Sequence, residues 1–340
     1  MPWAWCTTGW LGWRDVMANG TTILGPNQLV TGVRGWTGSD VILTGSNAAI
    51  SPVTALIYLG PLSPTDSGGI YTLAPAINGR TVTTSTFYGP DTFVFNPSLG
   101  EGNIRAVGSY QYDGSGDVRN CGMVYEGPPH GPGGWSQLDV PSDEVGGKTV
   151  WNTIPHSTMG NLVVGDYDLL GVPASANAFL YDIATGHWTI FDFPGCTLTT
   201  AYGIWQNGIG STRYTIVGGT RDGHGINQGF VVAYDSATRK FSHLKLYSYL
   251  DKPQLVTHFE GIVGTPKGFN LAGGSTGSLA LFASIEVNPD GSFSEATWVP
   301  YKYTGSEITT GNSIYENNLM GIYSVSGTAG VQSYVVPIEP

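Results

Sequence analysis

The sequence predicts an all-β protein, and three features of its 340 residues support this. Fifty Gly and 21 Pro interrupt the chain every few residues, as expected for tight turns. Between the turns lie runs of strand length that are rich in Val, Ile, Thr, Tyr and Trp. In addition, six short apolar segments, each with one polar residue at the same place, recur along the chain. We therefore expect short strands in a repeated order.

The repeated segments keep an apolar frame while their polar residue changes in charge and size. A constant frame around one variable position suggests a symmetric scaffold with a single asymmetric centre. In chain order the variable residue is Arg34, Tyr88, Asn152, Tyr202, Glu260 and Asn312.

Each repeat predicts four strands. The fourth repeat is the clearest, with TTAYGIW, YTIVGG, GFVVAYD and FSHLKLY separated by turn residues. The other repeats follow the same order, except that the sixth ends after three strands. Residues 19–26 resemble the fourth-strand segments of the other repeats and directly precede the first inner strand, so we expect them to supply the missing strand.

Four short strands per repeat, at a period of roughly fifty residues, predict a six-bladed β-propeller closed by N- and C-terminal strands. Radial packing buries both faces of each small sheet, and ring closure removes exposed strand edges. A pair of β-sandwiches is the alternative, but it does not explain why the sixth repeat lacks the strand that residues 19–26 offer. We expect one domain over residues 1–340, with repeats at about 31–80, 84–141, 148–195, 199–249, 256–304 and 308–340.

The fourth repeat, YTIVGG followed by GFVVAYDSATRKFSHL, resembles a kelch-type blade, in which a Gly pair ends the second strand and Tyr-Asp ends the third. The third repeat matches in part through NAFLYDIATGHW, which also resembles short HAF-type bacterial repeats. This resemblance covers about half of the chain and implies the propeller fold, but almost nothing about function. The sequence contains no SxDxGxTW box, strand-ending WD dipeptide or dinucleotide fingerprint.

The protein is acidic, with a formal net charge of −11 and only 14 Lys and Arg residues. Without clustered cations, neither nucleic acid nor an anionic membrane surface is an expected partner. No apolar run approaches the roughly 20 residues of a membrane span, and the N-terminus lacks the pattern of a signal peptide. We therefore expect a cytoplasmic protein, or a secreted one whose leader has been removed. The oligomeric state is left open.

The innermost strand of each blade lines the central channel of a propeller, so the six variable residues are expected to form a ring near the channel mouth. If Glu260 and Arg34 face each other, Glu260 is ionised and Arg34 can hold an anionic or carbonyl group. His258, on the same strand face as Glu260, is the natural proton carrier near neutral pH. We predict catalytic roles for Glu260, His258, Tyr88 and Tyr202, and substrate-binding roles for Arg34, Asn152, Asn312 and Trp36.

Each of these residues also has a structural interpretation, as a water-bridged ion pair, wall packing or a partner of the backbone. The divergence of the ring favours a ligand site, because a purely structural ring would tend to keep its residues similar. We expect no cofactor and no metal. Bound Ca²⁺ or Zn²⁺ is the alternative, carried by the loop residues Asp113, Asp166, Asp168, Asp222 and His224.

Other chemically capable residues receive no role in the site. His130 and His156 are expected in loops, and the three Cys form no metal-binding spacing. Four Trp in residues 1–19 predict a hydrophobic strap packed on the propeller, with a lid or a self-association patch as the alternative.

These features favour an enzyme that uses the channel mouth for metal-independent acid–base chemistry on a small organic molecule. Such an enzyme would be a lyase, isomerase, cyclase or hydrolase. A protein-interaction propeller of the kelch kind is one alternative, and it predicts a channel without convergent polar groups. A carbohydrate-binding lectin is the other, and it predicts equivalent sites that recur between blades.

Overall fold

The computed structural model describes residues 20–62, 68–114, 119–172, 175–252, 255–276, 278–327 and 330–339. Strands dominate these ranges and form six small antiparallel sheets, arranged as the blades of a six-bladed β-propeller. The predicted fold class is confirmed. Within these ranges, no helix is both long and apolar enough to cross a membrane. The Trp-rich segment lies outside the described residues.

The first three blades each contain four strands in sequential order. They are preceded by β1 (Thr21–Thr22). Blade one contains β2 (Gln28–Gly35), β3 (Asp40–Asn47), β4 (Thr54–Pro61) and β5 (Gly69–Thr72). Blade two contains β6 (Val82–Thr92), β7 (Ile104–Tyr112), β8 (Cys121–Gly127) and β9 (Gly134–Gln137). Blade three contains β10 (Val150–Met159), β11 (Leu162–Leu169), β12 (Asn177–Asp182) and β13 (His187–Phe191).

The remaining blades follow the same order, except that the inner strand of blade six is split in two. Blade four contains β14 (Cys196–Gln206), β15 (Arg213–Asp222), β16 (Asn227–Asp235) and β17 (Lys240–Tyr247). Blade five contains β18 (Thr257–Gly264), β19 (Gly268–Ser275), β20 (Leu279–Glu286) and β21 (Thr297–Tyr301). Blade six contains β22 (Ser306–Thr309), β23 (Ser313–Tyr315), β24 (Asn318–Val325) and β25 (Gln332–Pro337).

Strand β1 completes blade six, as the sequence predicts. Thr21 pairs with Val335 and Thr22 pairs with Tyr334 in an antiparallel ladder. Ser333 Oγ donates to the Gln28 carbonyl at 2.8 Å and accepts from a backbone N–H of β2 at 2.9 Å. The closing strand is shorter than the predicted segment 19–26, but it brings residues about 300 positions apart into one sheet.

Each innermost strand contains one bulge at an equivalent position. Pairing with the second strand passes from Phe87 directly to Gly89, for example, so Tyr88 is left out of the ladder. A bulge leaves the extra residue unpaired and re-aims its side chain. In blade six the same irregularity separates β22 from β23. The six extra residues, which we call the bulge ring, are Thr31, Tyr88, His156, Tyr202, Glu260 and Asn312.

Two further positions repeat around the propeller because backbones approach closely there. The residue after each bulge is Gly or Ser, and a Cβ on Gly32 would lie 2.1 Å from the Tyr88 carbonyl oxygen of the next blade. On each second strand, a glycine faces the carbonyl oxygen of the residue two positions before the bulge, at 1.7–2.3 Å from an added Cβ. These second-strand glycines are Gly45, Gly108, Gly165, Gly218, Gly273 and Gly321.

The hydrophobic core lies between neighbouring blades. In blades two and five, the residue before the bulge is a fully buried Phe that stacks on a Trp of the fourth strand. The ring centroids of Phe87 and Trp135 are 5.7 Å apart, as are those of Phe259 and Trp298. This packing supports the inner strands of blades two and five, so their bulged side chains project from a rigid backbone.

Candidate functional site

All six residues of the bulge ring line one cavity of about 150 Å³ in the central channel. Each of them is partly exposed, so their polar groups are accessible from the cavity. Around the ring they supply a hydroxyl, two phenols, an imidazole, a carboxylate and an amide. Arg34, Pro90 and Ile262 also line the cavity, from positions further along the inner strands.

The alignment of the repeats is corrected at two blades. Tyr88, Tyr202, Glu260 and Asn312 occupy the ring as expected, whereas Thr31 and His156 take the positions predicted for Arg34 and Asn152. His156 lies in strand β10 and not in a loop, so the prediction that it has no place in the site is wrong. The signal that could have found it is the small residue after each bulge, since Ser157 follows His156.

Two residues predicted to bind substrate lie away from the cavity. Asn152 donates to Asp168 Oδ2 at 3.0 Å and accepts from the Asn120 backbone N–H at 2.8 Å, so it joins two blades. Trp36 follows β2 and packs edge-to-face on Phe93, with ring centroids 4.8 Å apart. Neither residue lines the cavity as described.

The first acid–base pair of the site is His258 and Glu260 on β18. His258 Nε2 lies 2.7 Å from Glu260 Oε1, and Asn312 donates to Glu260 Oε2 at 3.0 Å. The side chains of His258 and Glu260 are 30% and 24% exposed. Burial by itself lowers the pKa of His258, but the hydrogen bond and the charge of Glu260 outweigh it, so the pKa is raised. Glu260 therefore favours the protonated form of His258.

A second pair of the same kind stands on blade three. His156 Nε2 lies 2.6 Å from Asp166 Oδ1, and these side chains are 14% and 10% exposed. Asp166 lies in β11 and not in a loop. No hydrogen bond to a described residue is made by Nδ1 of His156 or of His258. Each carboxylate thus orients an imidazole by one nitrogen and leaves the other for a ligand.

Tyr202 separates the two pairs. Its ring lies 4.6 Å from that of His156 and 5.8 Å from that of His258, measured between centroids. Burial raises the pKa of Tyr202, and the charges of Asp166 and Glu260 raise it further. Burial likewise raises the pKa of Tyr88, whose ring centroid is 5.1 Å from that of His156. Both phenols are therefore neutral hydrogen-bond donors at physiological pH.

Arg34 lines the cavity from a position three residues after the bulged Thr31, and it does not form an ion pair with Glu260. Its Nη2 donates to the Ile204 carbonyl at 2.8 Å, and its Nη1 donates to the Ile262 carbonyl at 3.4 Å. Its guanidinium carbon lies 5.3 Å from the ring centroid of Trp205. Burial lowers the pKa of Arg34 to about 10, against the opposing charge of Asp91. Its Nε has no hydrogen-bond partner among the described residues.

Asp91 occupies the position in blade two that Arg34 occupies in blade one. Asp91 lies three residues after the bulged Tyr88, and Arg34 lies three residues after the bulged Thr31. Asp91 is fully buried and accepts from the Gly160 N–H at 2.9 Å and from Asn96 Nδ2 at 3.0 Å. Burial raises its pKa to about 6, although Arg34, Asn96 and Arg105 act against the rise. Arg34, Asp91, Asn96 and Arg105 form what we call the floor cluster.

Two of the residues considered for a metal, Asp168 and Asp222, already accept hydrogen bonds from other groups. Asp168 accepts from Asn152, and Asp222 Oδ1 accepts from the backbone N–H groups of Ile226 and His224 at 2.8 and 2.9 Å. The hydrogen bond from Ile226 is the main cause that lowers the pKa of Asp222. Over the described ranges, no group of three or more His, Cys, Asp or Glu is arranged to hold a metal ion.

The whole chain is similar in structure to a fungal protein of known structure, the major Malassezia sympodialis allergen Mala s 1. The TM-score is 0.52 at 12% sequence identity, over 94% of this chain and 95% of that chain. At this identity the similarity shows the fold alone. No family model and no curated protein sequence matches the chain. The resemblance to kelch-type and HAF-type repeats is thus one of fold.

Proposed function

We propose that the protein is an enzyme that performs acid–base chemistry on a small organic molecule bound in the channel cavity. The observation that carries the proposal is that two carboxylate–imidazole pairs, at 2.6 and 2.7 Å, each place one member on the cavity, with a neutral phenol between them. Glu260 of one pair and His156 of the other line the cavity. Structural ion pairs have no need to converge on an open cavity, whereas proton transfer to a ligand does.

The two pairs suit a reaction in which one proton leaves the substrate and another returns at a different atom. The Glu260–His258 pair takes or gives one proton, and the Asp166–His156 pair handles the other. Tyr202 donates a hydrogen bond to the oxygen on which negative charge develops, because its phenol stays protonated between two carboxylates. An isomerisation, a cyclisation or an elimination fits this scheme, since each removes a proton from one atom of the substrate and delivers a proton to another atom or to the leaving group.

The remaining ring residues fit the binding of a polar ligand. Asn312 supports Glu260, and Tyr88 extends the polar wall on the side of His156. Arg34 places a positive charge beneath the cavity, which favours a carbonyl or other electron-rich group at that end. Pro90 and Ile262 give the cavity an apolar component.

The alternatives fit the cavity less well. A protein-interaction propeller predicts a channel without convergent polar groups, and this channel has them. A lectin predicts equivalent sites on several blades, whereas the bulge position carries five residue types in six blades.

The proposal is tested by comparing the wild-type protein with Glu260→Gln on a complex mixture of small metabolites in D₂O. Mass spectrometry follows which compounds are consumed and whether the products gain solvent deuterium. We expect at least one compound to be converted by the wild type, and its conversion to fall roughly 10²–10⁴-fold in Glu260→Gln.

The matched control is Glu286→Gln, which changes an exposed carboxylate at the end of β20 in the same blade. It should convert the compound as the wild type does. Both variants should keep the melting temperature within a few degrees. Conversion that survives Glu260→Gln, or a collapse of the fold in that variant, would show that Glu260 is structural.

A further inference from the structure

We propose that a groove between blades four and five binds the non-reacting part of the substrate, and that this part ends in a carboxylate held by Arg221. The inference rests on the proposed function, because it extends the same site. It assigns the substrate to a chemical class: a small carboxylic acid with an apolar spacer between its acid group and its reacting end.

The groove adjoins the cavity, and the Tyr202 side chain lies between them. It has a volume of about 180 Å³ and lies between β15 and β18. Tyr202 lines both spaces, and His258 lines the groove while its Nε2 contacts Glu260 in the cavity. A ligand in the groove therefore lies directly beside the acid–base pair of blade five.

Gly219 keeps the groove open where it meets the Tyr202–His258 pair. A Cβ at this position would lie 3.0 Å from His258 Cβ and 3.9 Å from Tyr202 Cε2. Any larger side chain would occupy the space beside the imidazole. The adjacent Gly218 is required for a different reason. A Cβ added there would lie 2.0 Å from the Thr200 carbonyl oxygen, and every blade has a glycine at this position.

The lining of the groove combines apolar and cationic residues. Ala176, Leu198 and Val256 supply apolar surface, and Arg221 and Asn227 supply polar groups at the start of the β15–β16 connection. Arg221 is exposed, and its side chain makes no ion pair or hydrogen bond within the described ranges. Arg221 differs from other exposed arginines such as Arg213 in that it lines this groove. A carboxylate is the group that its fork of donors matches best.

The test is a calorimetric titration with the ω-hydroxy acids from 4-hydroxybutyrate to 8-hydroxyoctanoate, and with the corresponding ω-hydroxyamides. We expect one chain length to bind best, and the acid to bind about tenfold more tightly than its amide because only the acid pairs with Arg221. Arg221→Gln should remove this preference and leave amide binding unchanged. Gly219→Val should weaken acid and amide together.

Arg213→Gln is the matched control, because Arg213 is an exposed arginine at the other end of the same strand β15. It should bind the acids as the wild type does. The proposal is overturned if no member of the series binds, or if Arg221→Gln keeps the preference for the acid. The titration needs no turnover, so a protein that binds the acid through Arg221 but shows no Glu260-dependent conversion would refute the proposed function alone.

Discussion

The bulge ring and the floor cluster, which share the cavity only through Arg34, use their polar groups in opposite ways. In the floor cluster, buried side chains bond mainly to the backbone: Arg34 to the Ile204 and Ile262 carbonyls, and Asp91 to the Gly160 N–H. In the bulge ring, partly exposed side chains bond mainly to other side chains, as in the pairs of His258 with Glu260 and Asn312 with Glu260. A buried polar side chain that hydrogen-bonds to the backbone stabilises the fold. An accessible one that hydrogen-bonds to another side chain can exchange that partner for a ligand.

The largest effect separates two residues of blade three. His156→Asn should lower conversion of the substrate by roughly 10²–10⁴-fold, because it removes an acid–base group while the strand β10 stays paired. Asn152→Ser, on the same strand but outside the cavity, should change kcat by less than about tenfold. Steady-state kinetics measure both. Equal losses of kcat in the two variants would show that His156, in the bulge ring, is no more important for conversion than Asn152, outside the cavity.

A second comparison sets the two levels against each other in stability. Asp91→Asn places an NH₂ group where an oxygen accepts from Gly160 and Asn96, and it leaves Arg34 without its counter-charge, so unfolding should become easier by about 3 kcal/mol. Glu260→Gln should change the free energy of unfolding by less than about 1 kcal/mol, since its side chain is partly solvated. Urea denaturation gives both values, and the reverse order would contradict the assignment of roles.

The glycine frame behind the ring has a smaller effect on stability. Gly273→Ala should destabilise the protein by about 1–3 kcal/mol, because the new Cβ would lie 2.1 Å from the His258 carbonyl oxygen and the inner strand must shift. Gly223→Ala is the control, as a Cβ there meets nothing within 4 Å. Thermal unfolding of both variants measures the difference. A harmless Gly273→Ala would mean that the inner strand is not held from behind as closely as described.

The smallest effect is a shift in titration. In the folded protein the pKa of His258 is raised above 6.5 by Glu260, and Glu260→Gln should lower it. The raised pKa means that His258 contributes to stability below pH 6.5, and that this contribution is lost as the pH rises through the folded value. NMR titration of the imidazole protons in both proteins tests this. An unchanged His258 pKa in the variant would show that the pair does not share a proton.

The blade count, the strand order and the closing strand follow from the sequence, because turn residues and strand-length apolar runs are local signals. Four of the six ring residues follow for the same reason. In blades one and three, the alignment based on the apolar segments was wrong, because it selected Arg34 and Asn152 in place of Thr31 and His156. The bulge that defines the ring depends on close contact with the next blade, and its local sign, a Gly or Ser directly after the bulged residue, was not used to align the repeats.

The acid–base pairs were predictable to different degrees. His258 and Glu260 are two residues apart on one strand, so the period of a strand already places them together. His156 and Asp166 are on different strands, and their meeting depends on the pairing of β10 with β11, which places Ile154 opposite Asp166. The floor cluster was not predicted at all, because its charged members lie on different strands and no short-range pattern relates them.

The bulges also bear on how such a protein could acquire new chemistry. A bulged residue lies outside the ladder of its strand, so its replacement leaves the backbone hydrogen bonds of the blade in place. Six such positions converge on one cavity, and each is one codon change from a different functional group while the frame behind it stays the same. The side chains that line the cavity can therefore be changed one blade at a time, which makes the channel a suitable scaffold for engineering.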